Sequence, residues 1–289
     1  MKLLIKFNIF FAVVSVTGLA LTGVIARDLL EDGAREEVLG RARLMMEKAI
    51  SVRDYTSAQI APLLQGQMKY SFLPQSVPAY SATEVLAGVQ KKYPQYEYKE
   101  ATLNPTNPRD RALEWEADIV NQFRRADDRV EFIGERETPA GRAVYIARPI
   151  RITNAACLAC HSTAEAAPRP LVERYGPSNG FGWQMNEVVG AQIVSVPMDI
   201  PFMRAQHSWE RLMLTIAAVF VALGVVLNLA LWLMVVRPLG KLVKVADGYT
   251  PEVQEKVDER EDEIGALAKT ILKLRRRVRQ QAREQLEAA

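Results

Sequence analysis

The stretch AVYIARPIRI, residues 143–152, decides the fold, and VVGAQIVSV, residues 188–196, has the same character. Both are rich in β-branched and apolar residues, which predicts strands. The segment between them is irregular and holds both cysteines of the chain, several prolines, and three glycines within residues 176–183. This order predicts a sheet from which a long functional loop projects.

The residues before these strands predict helices. Residues 28–67 carry an apolar stripe with alternating spacings of four and three, and Pro62 is expected to kink or end this long helix. Shorter helices are predicted over residues 82–92 and 112–125, separated by the turn-rich string NPTNP at 104–108. Helices followed by strands in one domain indicate the α+β class.

Two segments are apolar enough to cross a bilayer, residues 7–26 and residues 212–236. A cleaved signal peptide is the alternative for the first, although it is longer than a usual signal core. Lysines lie on the outer flanks of the pair, so both chain ends, residues 1–6 and 237–289, are predicted to be cytoplasmic. Residues 27–211 are then extracytoplasmic, and in a bacterium the protein is a two-pass protein of the inner membrane with a periplasmic domain.

Composition excludes some classes. A net charge of +3 over 289 residues does not indicate a nucleic-acid partner. Two cysteines within one pentapeptide exclude a disulfide scaffold, because a bridge across so short a loop would constrain almost nothing.

The pentapeptide CLACH, residues 157–161, has the C-x-x-C-H spacing of c-type haem attachment. The thiols of Cys157 and Cys160 add to the two vinyl groups of haem, and His161 then lies beneath the iron as its proximal ligand. Such attachment occurs outside the cytoplasm, which agrees with the topology that the lysines predict. We therefore expect one covalently attached haem c per chain.

Two other readings of the cysteine pair are open. A zinc site needs two more ligands, and the other histidine in the chain is His207. A dithiol redox site needs a helix start that lowers a thiol pKa, commonly within a βαβ pattern. The sequence around residues 157–161 shows neither context.

A haem pocket also needs apolar walls, cations for the propionates and a sixth position on the iron. Candidate pocket residues are Phe181, Trp183, Tyr145 and Phe72 as walls, and Arg53, Arg148, Arg109 and Lys99 as cations. Met46 or Met45 on the long helix is a candidate sixth ligand, although methionine at helical spacing is usually core filler. A vacant sixth position, open to a gas, is the alternative.

Residues 53–201 resemble a bacterial and cyanobacterial family, long without an assigned function, that attaches haem c to a PAS-like domain. The strings that carry the resemblance, in chain order, are RDYT (53–56), FLPQSVP (72–78), KEATLNPTNP (99–108), ARPI (147–150), CLACHS (157–162), YG (175–176) and GFGW (180–183). The resemblance implies a PAS-like fold, haem attached through Cys157, Cys160 and His161, and a sensing role. It leaves the sixth ligand open.

The tail looks like a HAMP linker, with RPL at 237–239 after the second span and DEIG at 262–265 before a helix. Residues 264, 267, 271, 274 and 278 of that helix alternate in spacings of three and four, as in a coiled-coil seam. The resemblance implies a parallel four-helix coiled coil between two chains, and hence a homodimer. HAMP segments usually pass a signal to a kinase, cyclase or chemotaxis-type domain. The sequence shows no such domain after the HAMP-like tail, so we expect the effector to be a separate cytoplasmic protein.

Together these features predict a transmembrane haem c sensor of redox state or of a diatomic gas. The alternative is a membrane-anchored periplasmic c-type cytochrome that passes electrons to a redox partner. A carrier gains nothing from a second span and a coiled coil, which favours sensing. An enzyme is not expected, since the sequence shows no distal acid–base histidine for a peroxidase.

Overall fold

The computed structural model of the chain describes residues 3–126, 128–139, 141–246 and 263–287. It divides into two compact units. One is Ala26–Trp209, here called the sheet domain; the other combines Met1–Ile25 with Glu210–Ala289 and is called the helical unit.

The helices and helical turns follow in chain order. Their bounds are α1 Leu3–Tyr55, a π-helical turn Thr56–Ile60, α2 Ala61–Leu64, α3 Pro78–Lys92, α4 Glu114–Arg125, α5 Leu158–His161, α6 Arg169–Tyr175, α7 Asp199–Leu231, a second π-helical turn Trp232–Val236, α8 Arg237–Ala246 and α9 Glu263–Glu287, with 3₁₀ turns at Gln67–Lys69, Pro74–Ser76, Pro108–Asp110 and Ala155–Cys157.

The sheet has four antiparallel strands within the described residues, in the order β1-β4-β3-β2. The strands are β1 Glu97–Thr102, β2 Phe132–Thr138, β3 Gly141–Arg151 and β4 Val188–Pro197. The predicted strands are β3 and β4, which confirms the α+β class, whereas β1 and β2 were not predicted. All ten residues of β4 are buried, because the strand has neighbours on both edges and helices on both faces.

Helix α1 covers one face of the sheet together with α3. The predicted apolar stripe, residues 38, 42, 45, 49 and 52, faces the sheet: Val38, Ala42 and Ala49 are fully buried, Met45 is 8% exposed and Val52 is partly buried. They form one hydrophobic cluster with side chains of α3, β3 and β4, namely Ala82, Leu86, Val144, Ile146, Val194, Val196 and Met198. This helix stabilises the fold through its packing against the sheet.

Helix α4 covers the opposite face. Ile119, Val120 and Phe123 are buried in a second cluster. The strand residues of that cluster are Ala101, Ala147, Val188, Ala191 and Ile193. Along β3 and from Ala191 onward in β4, residues of the two clusters alternate, as the period of two requires; Val188 lies beyond an irregularity of the ladder.

The predicted helix over 28–67 is interrupted six residues before Pro62, at Thr56. The Thr56 hydroxyl donates a 2.7 Å hydrogen bond to the Val52 carbonyl, a contact that bends helices. Pro62 lies at the start of the short helix that follows, where its missing N–H costs nothing. The chain therefore passes through a π-helical turn between helices α1 and α2.

Two helical stretches, Leu4–Leu64 and Asp199–Gly240, are long and apolar enough to cross a membrane, with mean hydropathies of 2.3 and 2.7 in their most apolar windows. The predicted spans, residues 7–26 and 212–236, lie inside them. Within the helical unit, the side chains of Asn8 and Asn228 exchange two amide hydrogen bonds of 2.9 and 2.7 Å. Gly224 leaves room for the Phe11 ring beside them.

Helix α9 lies where the sequence predicts a helix after DEIG. The sequence also predicts a short amphipathic helix before Gly248 and Pro251, and α8 lies there. Gly248, Pro251 and Asp262 themselves lie outside the described residues. In α9 the predicted seam residues Leu274 and Val278 are 57% and 61% exposed, whereas Leu272, which lies outside the seam, is buried.

Candidate functional site

The predicted loop is an excursion from the sheet between β3 and β4, and its two ends meet. Arg151 pairs with Val188 at an irregularity of the ladder. Beyond it, Ile152 N–H donates to the Glu187 carbonyl at 2.9 Å, and Asn186 N–H donates to the Ile152 carbonyl at 2.8 Å. Bulged ladder ends of this kind are common beside functional sites.

The cysteine pair lies on a single tight turn. Asn154 caps the 3₁₀ turn Ala155–Cys157 by accepting a 2.9 Å hydrogen bond from the Ala156 N–H. Helix α5 continues directly from it, so Cys157 and Cys160 lie one turn apart with His161 next. Both thiols are free and half-buried.

The imidazole of His161 has a fixed tautomer. Its Nδ1 lies 2.7 Å from the Gly180 carbonyl oxygen, which can only accept, so Nδ1 carries the proton. Burial lowers the pKa of His161, and the bond to Gly180 offsets this in part. The lowered pKa favours the neutral ring, in which Nε2 carries the lone pair that a metal can bind.

The loop 176–183 closes over α5. Gly182 N–H donates to the Ser162 carbonyl at 2.8 Å, and Trp183 N–H donates to the His161 carbonyl at 3.1 Å. These bonds satisfy carbonyls that a helix end leaves unpaired. The Trp183 indole stacks on the His161 ring, with centroids 3.9 Å apart and planes 10° from parallel.

Gly180 is required by its surroundings. Its φ is +83°, in the left-handed region, and a Cβ there would lie 2.8 Å from the Thr106 Cα. Asn104 accepts a hydrogen bond from the Gly180 N–H and donates one to the Phe181 carbonyl, both at 3.3 Å. The NPTNP connector thus supports the backbone that holds His161.

A family model, Tll0287-like, matches residues 31–197, more than half of the chain. The chain belongs to the Tll0287-like family. The match covers β1 to β4 and the whole excursion that carries the cysteines.

Other comparisons add two findings. The crystal structure of the cyanobacterial heme-protein Tll0287 is 20% identical to this chain, with 56% of this chain and 95% of that one covered and a TM-score of 0.45. No curated protein matches the sequence.

In the Tll0287-like region, burial raises the pKa of the Cys160 thiol, and the neighbouring Cys157 raises it further. A redox-active thiol is favoured by the opposite change, a lowered pKa. Over the residues that the structure describes, no group of three or more His, Cys, Asp or Glu side chains is placed to hold a metal ion.

The cations predicted to bind propionates all have carboxylate partners in the Tll0287-like region. Arg53 pairs with the buried Glu100, which also accepts from the Tyr98 hydroxyl at 2.8 Å. The other predicted cations pair as follows: Arg148 with Glu47 at 2.7 Å and Glu131 at 3.0 Å, Lys99 with Glu116 at 2.6 Å, and Arg109 with Glu84 at 2.6 Å. Their propionate role stays a prediction.

The structure places the remaining predicted site residues in different parts of the domain. Met46 is fully buried and Met45 is 8% exposed, both in the cluster between α1 and the sheet. Tyr145 contacts Trp115 on the α4 face with the rings tilted by 59°, and Phe72 makes an edge contact with Tyr175 of α6 at 5.6 Å. The sixth-ligand role of either methionine stays a prediction.

Sequence reasoning missed Asn104, Thr106 and Gly180 as site residues. Their strings were noted for their resemblance and their turn character, but their contact with His161 depends on tertiary folding. The one local signal was the glycine at position 180 in a loop beside a haem motif, because such a glycine often marks a positive φ or a close approach.

Proposed function

We propose that this chain is a membrane-anchored haem c protein, with haem attached through Cys157 and Cys160 and His161 as the iron ligand. The observation that carries the proposal is the His161 imidazole, whose Nδ1–H is held by the Gly180 carbonyl while Nε2 keeps its lone pair. A ring that bonds a carbonyl through one nitrogen and presents the other is the usual arrangement of a metal-ligating histidine. Tll0287, which gives the family its name, is a heme-protein.

The side chains of Cys157, Cys160 and His161 fit a covalently attached haem. The free thiols one turn apart are the pair that thioether formation consumes. Burial raises the pKa of the Cys160 thiol, and a thiol with less thiolate character is less prone to oxidation. When bound, haem would supply an iron that changes redox state or takes a small ligand, while Trp183 limits rotation of the His161 ring.

In the finer form of the proposal, the sheet domain is a periplasmic PAS-like sensor and residues 237–289 are a cytoplasmic HAMP linker. Helix α1 contains both a candidate span and the core residues Val38 to Ala49, so it belongs to the fold of the sensor and to its anchor. A change of iron state can shift the equilibrium between two helix arrangements only by the free-energy difference that it creates between them.

The proposed partners follow from the same chain. The exposed apolar side chains of Leu274 and Val278 on α9 suit a coiled coil with a second copy, and so a homodimer in the bacterial inner membrane. A separate cytoplasmic kinase, cyclase or chemotaxis-type protein would be the effector. The stimulus would be redox state or a diatomic gas, and the chain itself would catalyse no reaction.

The first experiment asks whether haem is attached. The full chain is produced in a bacterial host competent for c-type maturation, and its mass and visible spectrum are measured after acid–acetone extraction. We expect the chain mass to include one covalently attached porphyrin. Cys157→Ala and Cys160→Ala should each reduce the fraction of chains that carry it. His161→Ala should abolish the normal spectrum while His207→Ala, the matched control, leaves it unchanged. A wild-type chain without the increment overturns the proposal.

The second experiment separates sensing from electron transfer. A chromosomal truncation that removes residues 237–289 leaves both candidate spans and the haem domain. If the chain is a sensor, every response to redox or gas is lost although haem is still attached. If each phenotype survives the truncation, the chain is a periplasmic electron carrier instead.

A further inference from the structure

The side chain of Asn104 lies across the peptide group that holds the His161 ring. That peptide group joins Gly180 to Phe181, and its carbonyl accepts the Nδ1–H of His161 at 2.7 Å. Asn104 Oδ1 accepts from the Gly180 N–H on one side of it, and Asn104 Nδ2 donates to the Phe181 carbonyl on the other. Asn104 therefore holds the peptide groups before and after the one that carries the Gly180 carbonyl, and this hinders rotation of that carbonyl away from His161.

Asn104 is itself rigidly mounted. Leu103, directly before it, donates its N–H to the Val189 carbonyl at 3.3 Å and so ties this point to strand β4. Pro105, directly after it, is buried and restricts the backbone of Asn104 to extended conformations. The Asn104 amide therefore connects the sheet to the loop 176–183.

Thr106 completes the support from the same connector. Its backbone and side chain fill the space that any side chain at Gly180 would need. Its hydroxyl lies 3.5 Å from Nδ1 of His161, farther than the Gly180 carbonyl oxygen. The position of the carbonyl is thus set by packing from Thr106 and by hydrogen bonds from Asn104.

We infer that Asn104 is a positioning residue for the iron ligand: by orienting the Gly180 carbonyl it sets how strongly His161 donates electrons to the iron. This inference rests on the proposed function. A strong Nδ1–H···O=C bond makes the imidazole a better donor, which stabilises ferric iron and lowers the reduction potential. Loss of the Asn104 amide weakens that bond and raises the potential.

The test compares haem-loaded full-length chains that carry Asn104→Ala, Asn104→Ser or Asn107→Ala. Asn107 is the matched control, because it lies in the same connector and its side chain caps the turn at Arg109. We expect Asn104→Ala to increase the ferrous-to-ferric ratio at a fixed ambient potential by a factor on the order of three, because hydrogen bonds to a metal-ligating histidine raise its basicity and so tune the metal. In a five-coordinate ferrous form, the iron–histidine Raman band should move to lower frequency. Asn107→Ala should match wild type in the redox ratio and in this band.

The direction in which the reduction potential changes distinguishes a positioning role of Asn104 from a merely structural one. A loosened loop would admit water and favour the more highly charged ferric state, which lowers the potential. An unchanged or lowered potential in Asn104→Ala therefore overturns the inference. So does loss of attached haem in both Asn104 variants while Asn107→Ala stays loaded, since Asn104 would then act on maturation. A wild-type chain without haem would overturn the proposed function itself.

Discussion

The rings of His161 and Trp183 lie face to face, 3.9 Å between centroids and 10° from parallel. The same two residues are also joined through the backbone, by a 3.1 Å hydrogen bond from the Trp183 N–H to the His161 carbonyl. The ring of the proposed iron ligand is thus held on one face by an indole and at one nitrogen by the Gly180 carbonyl. Rotation about its side-chain bonds would break both contacts.

Replacement of Trp183 by alanine should loosen this ring. Because Trp183 is half-buried, we expect a loss of about 1–3 kcal/mol in the free energy of unfolding. Urea denaturation checks the value, with Tyr70→Ala as the control, since Tyr70 is 88% exposed and should cost no more than about 0.5 kcal/mol. Equal losses in the two variants would contradict the stacking argument.

Gly180 and Gly182 form a matched pair for a test of the Thr106 contact. Both have positive φ, +83° and +82°, but an added Cβ meets Thr106 only at Gly180 and finds nothing within 4 Å at Gly182. We expect Gly182→Ala to cost about 1 kcal/mol for its backbone alone, and Gly180→Ala about 1–3 kcal/mol more from overpacking. Denaturant melts measure the difference, and equal costs would show that Thr106 can move aside.

Loss of the Glu100 charge should be costly because it leaves Arg53 without its partner in the domain interior. The side chains are 3% and 22% exposed. Glu100→Gln removes the charge but keeps an acceptor for Tyr98, and should destabilise the domain by about 3 kcal/mol. The double variant Arg53→Met/Glu100→Gln should recover part of that loss. If the two substitutions prove additive in denaturant melts, the ion pair is not what fixes α1 at this point.

The carboxyl of Asp110 predicts a pH dependence. Burial raises its pKa from 3.8 to about 6; the charge of Glu100 adds to the rise, and Arg109 and Lys99 offset it in part. The native state therefore binds this proton more tightly than the unfolded chain does. Its contribution to stability is present at low pH and is lost as the pH rises from 3.8 to about 6.

Asp110→Asn removes this dependence. The stability of the variant relative to wild type should increase between pH 4 and pH 6, about the two pKa values, and stay constant above. Urea midpoints at a series of pH values measure it. Asp118→Asn, an equal charge change on an exposed residue of α4, is the control. A flat difference for Asp110→Asn would mean that the carboxyl titrates normally.

The amide pair Asn8–Asn228 should couple the two apolar helices. Replacement of either residue by leucine leaves the other amide without its partner and should cost about 0.6–2 kcal/mol, measured as unfolding in detergent micelles. The double leucine variant should lose less than the sum, because no polar group is then left unpaired. Strict additivity would show that the two amides act separately.

Strands β3 and β4 could be predicted because their apolar content is local. Strand β1, EYKEAT, could not, since its charged residues resemble a surface turn. Glu100 is buried there because Arg53 reaches it from a helix far earlier in the chain, and Lys99 is matched by Glu116 of α4. Strand β2, FIGERET, alternates between half-buried and exposed side chains at the sheet edge, so its apolar signal is weak.

At the candidate site too, the sequence predicts the contiguous residues but not the contacts made through tertiary folding. Cys157, Cys160 and His161 are contiguous, so their spacing alone indicated the chemistry. The partner of His161 is a backbone carbonyl at Gly180, and no sequence pattern names a carbonyl. Arg53 and Arg148 were predicted as cations because arginine binds propionates well, but sequence does not show which carboxylates reach them first; here these are Glu100, and Glu47 with Glu131.

The meeting of Ile152 and Glu187 has a further consequence. The excursion that carries the cysteines leaves and re-enters the sheet at adjacent points, so its opening need not disturb the pairing of β3 with β4. Such a segment can open locally while the scaffold beneath it stays folded. Substitutions within the excursion can therefore change its chemistry without loss of the four-stranded sheet.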